Sequence, residues 1–312
     1  MLRGPEPAST ADVERINRIF SEAFTDRYHR DGMAGVRVPP LNPAVWRYAI
    51  AGAGEGALLW RDESGEIAAF NMVHRSGIEG WMGPLAVRPD HQGRGMGQTI
   101  VREGIRRLEG AGARVIGLET MPRTIDNIGF YSRLGFRPGH LTLSVVKEGG
   151  FDTSAIGYSL LAEGRTEGVR EVQELTDRLT RGLDFTREIT LTLDHKLGDT
   201  TLVRQGGELV GWALWHTAPL AEGRDHGELR VLKLVAKNLG VFSDLVRAVE
   251  GDARREHVRR LSIRCQTGFR DAYGLLMASG YAVHWTDLRM TLEGKHESPP
   301  VGGGIVFSNW EI

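Results

Sequence analysis

One half of this 312-residue sequence repeats the other at an offset of roughly 142–146 residues, a domain-sized period rather than that of a solenoid. Val13, Ile16, Ile19, Phe20 and Ala23 form an apolar stripe at helical spacing, and Val169 to Leu183 holds the matching position in the second half. Two β-rich runs follow, Ala57 to Trp60 and Ile67 to Val73, joined by a polar turn. Gly65-Glu66 opens the second run, as Gly207-Glu208 opens its counterpart. A strand from Trp81 to Val87, a helix from Thr99 to Leu108, a strand from Val115 to Thr120, a short helix from Ile125 to Leu134 and a strand from Leu141 to Val146 complete the first unit. Leu229 to Val235, Leu261 to Gln266 and Leu288 to Leu292 take the corresponding strand positions in the second, and Gly280-Tyr281 matches Gly135-Phe136. The expected fold class is α+β, with two units each built on a mixed, largely antiparallel sheet flanked by helices. The boundaries fall at 1–147 and 151–294, leaving a tail at 295–312 that ends in an apolar run expected to dock.

Charge narrows the partners. Forty acidic side chains against 39 basic ones give no overall field toward nucleic acid or an anionic membrane, and no stretch has the ~18 apolar residues of a membrane span. Cys265 alone cannot form an internal disulfide or a thiolate cluster, and the His spacing supports no metal site. A soluble cytoplasmic protein acting on a small molecule or peptide is expected.

The chemistry concentrates in Leu85-Ala86-Val87-Arg88-Pro89-Asp90-His91-Gln92-Gly93-Arg94-Gly95-Met96-Gly97, a strand that enters a glycine loop and opens a helix. Such a loop lets backbone N–H groups and the helix dipole meet a pyrophosphate, with Arg88 and Arg94 as further candidates for charged contacts. The pattern Val87, Pro89, Gln92, Gly95, Gly97, followed by Phe130-Tyr131-Ser132-Arg133-Leu134-Gly135-Phe136, resembles the GNAT superfamily of N-acetyltransferases over about residues 10 to 147. The resemblance implies that acetyl-CoA is the co-substrate. Its pantetheine would pair with Leu85, Ala86 and Val87, and its pyrophosphate would sit on Gln92, Gly93, Arg94, Gly95, Met96 and Gly97. Acetyl would pass directly to an amine, with Tyr131 as general acid to the departing thiolate. Glu119 is the candidate base or substrate-binding carboxylate; His74 and Glu79 are weaker candidates, read as surface groups.

The sequence departs from the family pattern where Thr124 stands in place of an Asn. Thr124 or Asn127 is expected to supply the missing coenzyme contact or to cap the helix. The second half lacks the glycine series and has Leu276 at the position of Tyr131, so it is expected to be catalytically silent. Its remaining tasks are to pack on the first half, shape the acceptor site or form a homodimer. Thr25 to Trp46 reads as an acceptor-shaping loop or, equally, as a flexible surface loop, while Trp212, Trp215, Trp285 and Trp310 are candidate pocket walls more readily explained as core. A coenzyme A sensor without turnover is the rival reading.

Overall fold

A computed structural model describes residues 3–152 and 156–308. The first half runs β1 (Arg3–Pro7), α1 (Val13–Arg30), α2 (Pro43–Ala53), β2 (Ala57–Arg61), β3 (Ile67–Ser76), β4 (Glu79–Val87), α3 (Met96–Gly110), β5 (Val115–Thr120), α4 (Ile125–Arg133) and β6 (Phe136–Glu148). The second runs β7 (Ser159–Leu160), α5 (Arg165–Leu179), α6 (Thr186–Asp194), β8 (Gly198–Gln205), β9 (Glu208–His216), β10 (Glu228–Ala236), α7 (Leu239–Arg255), β11 (Arg260–Gln266), α8 (Arg270–Ala278), β12 (Ala282–Leu292) and β13 (Ile305–Ser308). The order expected from the repeat is present, and the fold is mixed, with a curled, mostly antiparallel sheet flanked by helices.

Two helices exceed that expectation. The segment 25–46 is not one loop: Thr25–Arg30 extends α1, and α2 begins at Pro43. Asn42 starts α2 by accepting from the Ala44 N–H at 2.9 Å, and Pro43 occupies a first-turn position where its missing N–H costs nothing. Trp46, Ala49, Ile50 and Ala53 then lie buried at helical spacing. In the second half, α6 holds the equivalent place.

All thirteen strands among the described residues join one sheet, in the order β1-β2-β3-β4-β5-β12-β6-β11-β10-β9-β8-β7, with β13 beside β10. The halves exchange their closing strands within it. β5 pairs with β12, from Thr120 opposite Leu288 to Gly117 opposite Thr291, while β11 pairs with β6, from Arg260 opposite Glu148 to Gln266 opposite Thr142. β6 and β12 also pair with each other. Each half's core is therefore completed by the other. Met290 packs with Leu118 and Phe136, and Leu143 and Val145 pack with Leu261 and Ile263. Burial of each such side chain contributes about 1.5–3 kcal/mol.

The junction also buries charge. Glu188 accepts from Ser76, Glu79 accepts from Ser308 Oγ at 2.7 Å and from Trp81 Nε1 at 3.0 Å, and the Lys233 ammonium lies 4.9 Å over the Phe185 ring. Burial lowers the Lys233 pKa to about 8 against the opposing pull of Glu188 and Glu79. Glu79 and His74 are thus not the surface groups expected from sequence. Both are buried, because β3 and β4 are covered here by the second half.

Candidate active site

β4 changes neighbours along its length, and this creates the cleft. Glu79–Met82 pair in parallel with Val115–Leu118 of β5, but the pairing stops there. Gly83 and Pro84 form a bulge opposite a single β3 residue, after which Leu85, Ala86 and Val87 continue to pair with β3 on one side only. Their other edge faces the gap between β4 and β5. An extended ligand with amide groups can add to such an edge as a strand.

The glycine loop closes the far end. Gly93 and Gly95 have φ of 76° and 80°, a region that L side chains adopt only under strain. Gly95 is the N-cap of α3 and offers no side chain to its first turn; the Gln98 N–H turns back to the Gly95 carbonyl at 3.1 Å, which leaves the N–H groups ahead of it to an anion. Gln92 Nε2 donates to the Val87 carbonyl at 2.9 Å and ties the loop to the strand end. Gly97 is small for a packing reason, since a Cβ there would lie 3.1 Å from the Phe130 ring.

The resulting cleft, about 440 Å³, brings together Leu85, Ala86, Val87, Gln92, Gly93, Gly95, Met96, Gly97, Asn127 and Tyr131. Arg94 lies exposed on the loop and is not among the residues lining this volume. Arg88 does not face it either. It is held by Asp62, Asp90 and the Ile67 carbonyl, which makes it a brace for the loop. The sequence reading did not assign Ala23, Phe24 or Arg27 to this cleft; all three lie in the C-terminal half of α1, Arg27 in the segment read as an acceptor-shaping loop. Arg27 pairs with Asp31 and, at 3.3 Å, with Asp126 at the start of α4. Thr124 caps nothing with its side chain; its hydroxyl donates to Asp31 at 2.7 Å and joins α4 to α1.

Tyr131 is 7% exposed, packed edge-on against Phe130 and Phe136, and it lines the cleft. Burial raises its pKa to about 12, so the phenol keeps its proton at neutral pH.

A second cavity of about 450 Å³ adjoins the first. Phe24 lines both, and Pro84 of the second is followed directly by Leu85 of the first. Phe20, Phe24 and Tyr28 of α1 form one wall, with the Tyr28 ring 6.2 Å from that of Trp285. Two loops roof it and are pinned together, the Asn42 N–H donating to Leu220 and the Glu222 N–H to Pro40, each at 2.9 Å. Glu119 lines this cavity, accepting from Arg289 Nη1 at 2.8 Å, from Arg264 and from the Thr142 hydroxyl. Burial alone would raise its pKa, but Arg264 and Arg289 outweigh that and lower it. Of the tryptophans, Trp212 and Trp215 are core, Trp285 borders the second cavity, and Trp310 lies outside the described residues.

Residues 13–136, which build the first cleft, match the model of the Acetyltransferase (GNAT) family. The chain carries a GNAT-family domain. The whole chain is also similar to solved structures at low identity, which shows the fold. A candidate acetyltransferase from Pyrococcus horikoshii superposes with a TM-score of 0.68 at 16% identity, covering 94% of this chain and 88% of that one. A tandem GNAT protein from the clavulanic acid biosynthesis pathway gives 0.58 at 13%, covering 96% and 100%. N-myristoyltransferase of Saccharomyces cerevisiae, with bound myristoyl-CoA, gives 0.63 at 11%, covering 94% and 78%.

The second unit keeps the GNAT fold but closes the corresponding cleft. β10 leaves β11 after Val231, as β4 leaves β5, yet the gap is filled by β13, whose Ile305–Ser308 pair with Ala236–Lys233. Phe307 plugs it from inside, 5.6 Å from Phe242 and from Phe269. The helix that follows, α7, is capped by its own Asn238, which accepts from the Val241 N–H at 3.0 Å. Leu276 is buried where the GNAT domain has Tyr131. In the tail, Ile305–Ser308 form β13, and Asn309–Ile312 lie outside the described residues.

A local test of the GNAT loop is Gly95→Ala. The added Cβ meets nothing within 4 Å, so its effect is purely conformational, about 1–2 kcal/mol for a left-handed alanine. The free loop is expected to relax out of this conformation, and calorimetry should show a Kd for acyl-CoA raised about 5- to 30-fold with a small change in Tm.

Proposed function

We propose that the protein is an acetyl-CoA-dependent N-acetyltransferase, with coenzyme A in the first cleft and an amine acceptor entering through the second cavity. The observation that carries this reading is the meeting of the two cavities at the β4 bulge, where a thioester held along Leu85–Val87 would face an amine arriving past Pro84. The amine attacks the thioester carbonyl directly. A backbone N–H at the open β4 edge stabilises the developing oxyanion, and Tyr131 gives its proton to the departing thiolate. Glu119 stays ionised between Arg264 and Arg289, which makes it a weak base; it positions the acceptor side, and the amine proton leaves through water. The match to an acetyltransferase model favours acetyl over longer acyl groups.

Thiol release from acetyl-CoA, followed across a panel of amines, amino acids and peptides, tests the reading together with calorimetry of coenzyme binding. The expected outcome is acceptor-dependent release with one acetyl-CoA per chain, the second unit being closed by β13. Tight binding with no turnover on any acceptor would favour a sensor.

A further inference from the structure

The second cavity is lined by five arginines against three carboxylates. Three of the arginines are matched. Arg264 pairs with Glu119 and Asp287, Arg289 with Glu119 and Glu297, and Arg260 with Glu228 at 3.2 Å. Arg224 and Arg230 have no carboxylate within 4.0 Å among the described residues, and Arg230 is only 3% exposed. Its Nη2 donates to the Ala218 carbonyl at 2.8 Å, which orients the guanidinium without neutralising it. A guanidinium cannot shed its proton, so a buried one lacking a counter-charge is costly unless an anion completes the site.

The strand order says how far this cation lies from the chemistry. β10 stands five strands from β4, roughly 24 Å along the sheet at ~4.8 Å per strand and less across its curled inner side. A single α-amino acid is too short to reach both ends.

We propose that the acceptor is an elongated amine carrying a carboxylate or phosphate at the end remote from the reacting nitrogen, and that Arg230 binds that anion. This rests on the N-acetyltransferase reading above and adds the substrate class. Glu119 and Asp287 then line the amine-proximal part of the path, and Arg224, on the roof loop, closes over the anionic end. No bond beyond those of acetyl transfer is made or broken.

The test uses the full chain with saturating acetyl-CoA. Thiol release is measured with ω-amino carboxylic acids of increasing length against the matching ω-amino amides, and with ω-aminoalkyl phosphates against the matching alcohols. Wild type is compared with Arg230→Met, Arg230→Lys and Arg224→Gln. The longer anionic members are expected to exceed their neutral partners about tenfold or more in kcat/KM, as a charged hydrogen bond implies. The stronger of the two series identifies the anion. Arg230→Met should remove the preference through KM, Arg230→Lys should restore part of it, and the Kd for acetyl-CoA should not move. Equal rates for anionic and neutral acceptors, or a preference that survives Arg230→Met, would overturn the proposal and leave acetyl transfer standing. Absence of release with every acceptor, with acetyl-CoA bound, would overturn both. If circular dichroism shows Arg230→Met misfolded, Arg224→Gln decides: a reduced preference for anionic acceptors supports the proposal, and an unchanged preference overturns it.

Discussion

Tyr131→Phe is expected to lower kcat by about 10²-fold or more, the range that a positioned general acid contributes. The substitution removes only the hydroxyl. The ring keeps its edge-on packing against Phe130 and Phe136, with centroids 5.1 and 6.1 Å away, so Tm should hold and the Kd for acetyl-CoA should stay within about twofold. The pH dependence carries the sign. Burial raises the phenol pKa to about 12, so the acid form persists through the whole range in which acceptor amines lose their protons. In wild type, kcat should rise with pH as the amine deprotonates and should not fall from this group below about pH 10; loss of the acid in the variant lowers the plateau without shifting the rise. A ring needed only for packing would give an unchanged kcat, and stopped-flow thiol detection distinguishes the two.

The second large effect concerns stability. Arg289 of β12 belongs to the second half in sequence, yet its guanidinium stacks 3.7 Å from the Trp81 ring centre and bonds Glu119, both in the first half, while also holding Glu297 in a double hydrogen bond. Burial alone would depress its pKa, but Glu297, Glu119 and Glu79 more than offset this. Arg289→Ala removes the cation and leaves carboxylates in a site with little water. Breaking a buried pair in this way costs about 3–5 kcal/mol, here a fall in Tm on the order of 10 °C. Adding Glu119→Gln should recover part of the loss, because one of the stranded charges goes with it. A melting temperature unchanged by Arg289→Ala would mean that water already solvates this junction.

Local features were readable and long-range ones were not. The loop from Gln92 to Gly97 was legible because it is contiguous in sequence, and two of its glycines, Gly93 and Gly95, take the left-handed conformation that only glycine adopts freely. α2 carried an unused start signal in Asn42-Pro43. The phenylalanine and arginine that α1 contributes to the cleft lay beyond the point where its apolar stripe fades, since Thr25–Arg30 is held by α4 and the roof loop. β12 was read only from Leu288, because Ala282–Trp285 are exposed and lack the alternation of a half-buried strand. Exchange of β6 and β12 has no local signature at all, as either strand pairs equally well in pattern with its own neighbour or with the other half's. The arginine face did leave a trace. Arg260, Ser262 and Arg264 alternate with Leu261, Ile263 and Cys265, a strand polar on one side and apolar on the other.

The shared sheet has a consequence for synthesis. The strand that completes the first half, β12, lies about 170 residues beyond the β5 edge it covers. At ~5–20 residues per second, the ribosome leaves that edge open for roughly 8–30 s after β5 has emerged. Neither half can finish folding during translation before the other is made, so the nascent chain passes through a long interval with an uncovered strand edge, and this is where a chaperone that binds extended apolar segments has its opportunity to act.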